Sequence, residues 1–576
     1  MSFGGYIKRI FVEPFGTSLT AGLTALLAAA LIYPVCIAVH DAFVTQNGQF
    51  SLYWFTRLAD DGSLRLLGNS LLLAAITTVA CTIISLPLAL LRVECEFIGR
   101  EFFSLMMLAP LILPPFVGAI AIQRFLGQFG SLNLLLDRLG VIDFASGELP
   151  PDWLASGFVG VVIMQVLHLF PIIYLNAAAS LTNLDPSQVE AAENLGAPAW
   201  VRLRRIILPQ IRPGLFAGGA IVFIWSLTDI GTPLMLNYRD LAGVRIFSSL
   251  TSGKYFGSDF ALVVVLLAVS IACYVLGKFV LGREPEQINT RAMRGAVTKR
   301  LGAAGTLGAW VLFGTVTVMA ILPHIGVVLS ALAGDWFDSI LPEQYTFAHM
   351  AGVVTDSQTY LSIVNSLQYA GCSTVIDIIM GGLIAWLLVR GRTVGSSVLD
   401  AMAMLPLAVP GLILAAGYVA MTATGPLAKI GPLGKYPAVI LIIAYSVRRL
   451  PLVVRGISAG LQQIPTTYEE AARNLGAGRI KTARRITLPL LTSSFAAAAV
   501  LAFAFAMLEV SDSLVLAQVA ENYPITKQIY SLYNSGTGFS ANIAAALGVY
   551  GMVLLGGTMA ISSIIMGRKF GSIFRA

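Results

Sequence analysis

Twelve apolar runs, each long enough to cross a bilayer as a helix, divide this chain and restrict what it can become. In the first half they fall near residues 18–41, 68–91, 103–126, 156–179, 211–236 and 259–281; in the second, near 302–331, 364–389, 398–424, 436–459, 490–519 and 541–566. A stretch of about 20 apolar residues matches the hydrocarbon core, and inside lipid a backbone must satisfy its own polar groups, as a helix does. The expected class is therefore an all-α polytopic membrane protein. Composition agrees: 57% of the residues are hydrophobic, 12% are charged and the mean hydropathy is +0.80, whereas soluble chains carry about 25% charged residues. The net charge of +7 is spread in short clusters between the apolar runs, a pattern of loops facing an anionic leaflet rather than of a nucleic-acid surface. The stretch from Ser18 to Val44 is too long for a signal-peptide core and reads as a retained first span.

Basic residues set the orientation. Lys8 and Arg9 precede the first run, Arg92 and Arg100 follow the second, and Arg202, Arg204 and Arg205 follow the fourth. Arg283, Arg291, Arg294, Lys299 and Arg300 fill the connection between halves, Arg390 and Arg392 follow the eighth run, and Arg568, Lys569 and Arg575 close the chain. All fall on one side of the membrane, which the positive-inside rule makes the cytoplasm, with both termini.

The chain repeats itself. Glu190-Ala191-Ala192-Glu193-Asn194-Leu195-Gly196, running on to Leu208-Pro209, returns 280 residues later as Glu470-Ala471-Ala472-Arg473-Asn474-Leu475-Gly476, running on to Leu488-Pro489. Twelve of the twenty aligned positions are identical without a gap. Asn69-Ser70, Pro110 and Pro114 return at an offset of 296 as Asn365-Ser366, Pro406 and Pro410, so the first half holds about 16 extra residues, placed in the outer segment Leu136–Asp152. Six spans per half give both halves the same orientation, hence two parallel pseudo-repeats. The expected organisation is residues 1–281 as the first half, 282–300 as a cytoplasmic linker and 301–576 as the second half.

Each repeated segment is a polar island on the cytoplasmic side. It reads as a short helix near 186–197 or 466–477, started at Asp185-Pro186 or Pro465-Thr466-Thr467 and stopped by Gly196 or Gly476 in a left-handed conformation. An amphipathic helix resting on lipid needs no fixed spacing, so two copies of equal length point to a protein partner met twice. The pattern Glu-Ala-Ala, three residues, Gly, then Ile-x-Leu-Pro resembles the signature loop of permease subunits of binding-protein-dependent ABC importers; Thr487, where the first copy has Ile207, is the one departure within it.

The resemblance implies that Glu190, Ala191, Ala192 and Gly196, with Glu470, Ala471, Ala472 and Gly476, dock one ATPase subunit each of a homodimer. It also implies a bacterial inner-membrane location and a periplasmic substrate-binding protein as second partner. A phosphate-cradling loop needs Gly-Lys followed by Ser or Thr, but Gly253-Lys254, Gly277-Lys278 and Gly434-Lys435 are followed by Tyr, Phe and Tyr. No catalytic residue and no cofactor are therefore expected here, with ATP and magnesium held by the partner. Cys36, Cys81, Cys95, Cys273 and Cys372 show no CxxC spacing, His168 and His324 sit in apolar runs as packing residues, and no metal site is expected.

The offset of 280 also relates Asp229 to Glu509. A carboxylate within a span costs about 2.5–3.5 kcal/mol on insertion scales and should face protein or water, so the pair marks either the pathway or a solvated outer surface. Asp512 and Arg448 are further pathway residues by the same reasoning, although Arg448 and Arg449 just before Pro451 can instead snorkel to the inner interface. The match Gly214 to Gly218, with Ser494 to Ala498 as its mate, suggests close packing between halves. Among importer permeases the segments Asp-Ile-Gly-Thr-Pro and Glu-Val-Ser-Asp-Ser look most like the ferric iron type. Thiamine, polyamine and 2-aminoethylphosphonate permeases are similar. Two other classes stand beside this one: a secondary transporter, which needs no matched docking helices, and a membrane enzyme or scaffold.

Overall fold

The computed structural model describes residues 14–45, 47–144, 149–154, 157–253, 257–281, 299–336, 338–391, 393–423 and 425–566. Among them ten helices are long and apolar enough to cross a membrane, and twelve if two sharply bent pairs count as one span each. The single spans are Phe15–Phe43, Ser63–Glu94, Phe158–Thr182, Ala199–Thr228 and Gly257–Gly277, then Ala303–Leu332, Ser357–Val389, Pro437–Gln463, Ile480–Met507 and Gly538–Thr558. The bent pairs are the third spans of the two halves: Arg100–Ile112 with Pro115–Arg138, at 96°, and Ser396–Leu407 with Gly411–Met421, at 103°. The linker and the terminal basic clusters lie outside the described residues, apart from Lys299 and Arg300. That end of the linker pairs as a short parallel strand with Cys95-Glu96 at the close of the second span.

The bent pairs correct the expectation of continuous helices over 103–126 and 398–424. The cause lies in the prolines that marked the repeat. A residue before proline is pushed out of the helical region, and Leu113, before Pro114-Pro115, takes φ −108° and ψ 125°. Pro114 and Pro410, both extended, then precede the new helices. The fifth spans also begin and end earlier than expected, at Ala199–Thr228 rather than 211–236, and at Ile480–Met507 rather than 490–519. A single π-helical turn lies near the start of each, at Leu203–Ile207 and Ala483–Thr487, across both Arg-Arg pairs.

The halves are interlocked. The first span crosses to the second half: an added Cβ at Gly417 would come within 2.7 Å of the Pro34 carbonyl group, Tyr418 donates its hydroxyl to Ala30 O at 2.7 Å, and Thr20 meets Thr393 at 3.0 Å. Conversely, Ala303–Leu332 packs on Pro115–Leu126 of the first half, where a Cβ added at Gly118 would lie 3.1 Å from Pro323 and Gly326 leaves room for Ala121 and Phe125. Lipid supplies no hydrophobic drive between helices, so close approach through small residues has to hold such pairs. The Gly214 and Gly218 match serves the same end inside one half, against Ser180, Ile173 and Asn176, and Ser494 packs on Gly460; the expected contact between halves is not made there. Asn69-Ser70 and Asn365-Ser366 pin the outer connections: Asn69 and Asn365 donate to the carbonyls of Asp240 and of Glu521 and Tyr523, while Ser70 and Ser366 accept from the backbone N–H groups of Ala242 and Ile525.

Candidate docking helices and central seam

The repeated segments form the helices Pro186–Asn194 and Thr467–Asn474. Asp185 caps the first, accepting from Ser187 N at 3.0 Å. Gly196 and Gly476 stand at φ 77° and 81°, and the N–H groups of Ala197 and Ala477 reach back to Ala192 O and Ala472 O at 2.9 and 3.0 Å. Both ends are thus Schellman closures that require the left-handed residue. Glu190, Ala191, Glu470 and Ala471 are exposed, Ala192 is half-buried and Ala472 is buried. Leu195 and Leu475, 87% and 89% exposed, stand out beside the glycines, two equivalent apolar knobs uncovered by the described residues.

The departure at Thr487 has a structural reason. Thr487 Oγ1 donates to Glu469 Oε1 at 3.1 Å, and Arg390 Nε reaches the same oxygen at 3.2 Å. The equivalents in the first half, Ile207 and Val189, belong to one apolar cluster. Both members of the pair differ between halves, so each interior is self-consistent.

The two halves meet where their fifth spans end. Gly231 sits between Phe116 of its own half and Val510 of the other, whose Cγ1 would be 2.9 Å from an added Cβ. Gly243 is closed in by Ile230 and by Leu412 of the second half. Phe116 and Leu412, like Ile230 and Val510, are repeat mates, so the seam is an apolar closure on the pseudo-twofold. Lys527 ties it further: its ammonium donates to Leu514 O at 3.0 Å and lies 5.9 Å from the ring centre of Phe247, its own repeat mate.

Asp229 and Glu509 flank this closure, and neither is simply solvated. Asp229 Oδ1 accepts from Gly231 N at 3.0 Å, and Oδ2 accepts from Gln165 Nε2 at 3.1 Å; Gln165 in turn accepts from Ser226 and Thr77. Glu509 is buried and accepts from Arg448 Nη1 at 2.6 Å and from Arg449 Nη2. Asp512 Oδ2 lies 3.4 Å from Arg448, and Asp377 accepts from Ser446 at 2.6 Å. Arg448 and Arg449 therefore pair inside the protein instead of snorkelling to the interface. Arg449 was named in sequence beside Arg448, but Asp377 and Ser446 did not stand out; their signal was intramembrane polarity confined to one half. His168 Nδ1 donates to Pro110 O, 2.9 Å away, as a packing residue would, but both ring nitrogens of His324 lack a partner. Among the described residues no group of three or more His, Cys, Asp or Glu side chains is placed to hold a metal.

At the end of the bundle opposite the helices Pro186–Asn194 and Thr467–Asn474, a cavity of about 600 Å³ is lined by Gln128, Ser131 and Asp152 of the first half together with Trp336 and Tyr533 of the second. The first half's extra residues build one wall of it, with the helix Ser131–Arg138 where the second half has only the turn Pro426–Ile430.

Two interlocked bundles of helices closed by an apolar seam, with ionisable side chains buried beside it, define a membrane transport protein. The chain belongs to the family described as the binding-protein-dependent transport system inner membrane component, which matches residues 82–283 and 377–571, one match in each half. It is 27% identical over 568 residues to the ferric transport system permease protein FbpB of Actinobacillus pleuropneumoniae, covering 96% of this chain and 78% of the relative. It is 28% identical over 499 residues to the putative ferric transport system permease protein FbpB 1 of Haemophilus influenzae, covering 84% and 75%. The putative 2-aminoethylphosphonate transport system permease protein PhnU of Salmonella typhimurium is 28% identical over 261 residues, 45% of this chain and 87% of that one. A bacterial ABC transporter that imports alginate aligns with 46% of this chain at 20% identity and a TM-score of 0.37, too slight a likeness to add to the assignment.

Proposed function

We propose that this chain is the pore of an ATP-driven importer for ferric iron, loaded by a periplasmic binding protein and driven by two copies of one ATPase subunit. The observation that carries the reading is the pair of equivalent exposed helices, Pro186–Asn194 and Thr467–Asn474, each closed by a left-handed glycine beside an exposed leucine. Glu190 and Glu470 would make ion pairs across the two ATPase interfaces, with ATP and magnesium held by the ATPase. Both termini and the linker then lie in the cytoplasm, and the outer cavity faces the binding protein. ATP-driven closure of the ATPases brings the docking helices together and parts the halves at the Ile230–Val510 seam, a shift between two states of one interlocked body. Iron as cargo is supported by the two ferric permease relatives that span most of the chain. The PhnU likeness favours 2-aminoethylphosphonate as the second reading.

The test is uptake into vesicles holding the permease, its ATPase and the binding protein. Vanadate-sensitive ferric iron uptake that ignores an uncoupler is expected. Uptake that collapses with the proton gradient alone would identify a secondary transporter and overturn the reading. Glu190→Lys combined with Glu470→Lys is expected to abolish uptake and weaken ATPase retention, with the protein still in the membrane. Normal uptake by that variant would remove the docking role.

A further inference from the structure

We propose that Arg448, held against Glu509 and Asp512, is an electrostatic barrier that stops small cations, protons included, from leaking through the closed pathway between transport cycles. The proposal rests on the reading of the chain as an importer pore.

Position comes first. Glu509 directly precedes Val510, which meets Gly231 of the other half, and the Arg448 guanidinium lies against Gly411, the residue before Leu412 of the same seam. Arg448 thus stands where the halves part. It is also the accessible member of the cluster: its side chain is 19% exposed, against 3% for Glu509 and 0% for Asp512. A charged side chain within a span faces protein or a watered cavity, not lipid, so this exposed fraction opens toward the pathway.

The chemistry comes second. Both oxygens of Glu509 are taken by guanidinium groups, so as it stands the acid offers no free ligand to a passing cation. The exposed guanidinium is the charge that a cation on the pathway meets first, with its buried acids behind it, and at a poorly hydrated constriction the nearest charge repels protons and metal cations alike, because Coulomb energy rises steeply as distance and dielectric fall. The carboxylates hold the guanidinium in place, since arginine left alone would withdraw toward water. Asp512 Oδ1, Asp377 Oδ2 and Arg449 Nε lack hydrogen-bond partners, so the cluster can exchange contacts as the halves move. The first half has no counterpart: His168, Leu169 and Thr232 occupy the places of Arg448, Arg449 and Asp512.

The experiment is passive flux through the permease–ATPase complex in proteoliposomes without ATP, read by an entrapped pH dye under an imposed proton gradient and repeated with a sodium gradient. Arg448→Gln is expected to raise both fluxes about tenfold or more, as loss of a charge barrier should. Arg448→Lys is expected to stay as tight as the natural protein, and so is His168→Gln at the mate position. If Arg448→Gln fails to assemble, Arg448→Gln with Asp512→Asn removes the guanidinium without stranding Asp512, while Arg449 still holds Glu509, and is expected to leak equally. A tight Arg448→Gln complex, or an Arg448→Lys complex as leaky as Arg448→Gln, overturns the proposal. Uptake by the natural complex in the same vesicles tests the importer reading separately, since the leak is measured without ATP or binding protein.

Discussion

The two halves share a backbone plan and differ in what they bury. In the first, Asp229 completes a turn and a neutral chain through Gln165 to Ser226 and Thr77. In the second, the same position carries Glu509 against two arginines, with Asp512 and Asp377 beside them. The halves keep the same exposed helix with the same left-handed glycine stop. They do not keep the same seam-side interior, where one charged face suffices. The pseudo-twofold is thus kept in the exposed helices and lost in the buried charge.

The widest gap between halves should appear on removing the acids. Glu509→Ala strands two buried guanidiniums, and breaking such a pair costs about 3–5 kcal/mol. Asp229→Ala loses neutral hydrogen bonds and should cost about 1–3 kcal/mol. Thermal unfolding of the purified protein in detergent measures both, and equal losses would break the comparison. Next come the exchanged spans. Gly417→Ala presses a methyl on the Pro34 backbone and should cost about 1–3 kcal/mol, whereas Gly371→Ala, with open space around it, should change stability by less than about 1 kcal/mol. The smallest effect is expected at the docking base. Thr487→Ile removes one hydrogen bond to buried Glu469, worth about 1 kcal/mol, and Thr487→Ser, which keeps the hydroxyl donor, should lose less. A Thr487→Ser protein as unstable as Thr487→Ile would show that the hydroxyl does not support Glu469.

Much of this was legible in sequence. Number and rough position of spans follow from hydropathy, and the docking helices with their glycine stops follow from a repeat strong enough to align by eye. The third spans were misread because a hydropathy window averages across Leu113 and Val409, whereas the break depends on the proline that follows each. The exchange of first spans left no local trace. Pro34 and Gly417 meet through shape, and nothing in either neighbourhood names the other. The arginines were ambiguous because snorkelling and pairing use the same residue at the same depth; only the side on which Glu509 points decides.

That exchange also orders the making of the protein. Among the described spans Phe15–Phe43 is made first, yet Ala30 waits for Tyr418, 388 residues later, to receive its hydrogen bond. Each half therefore completes its packing only with a helix of the other, and separately expressed halves are expected to reach that packing only when made together.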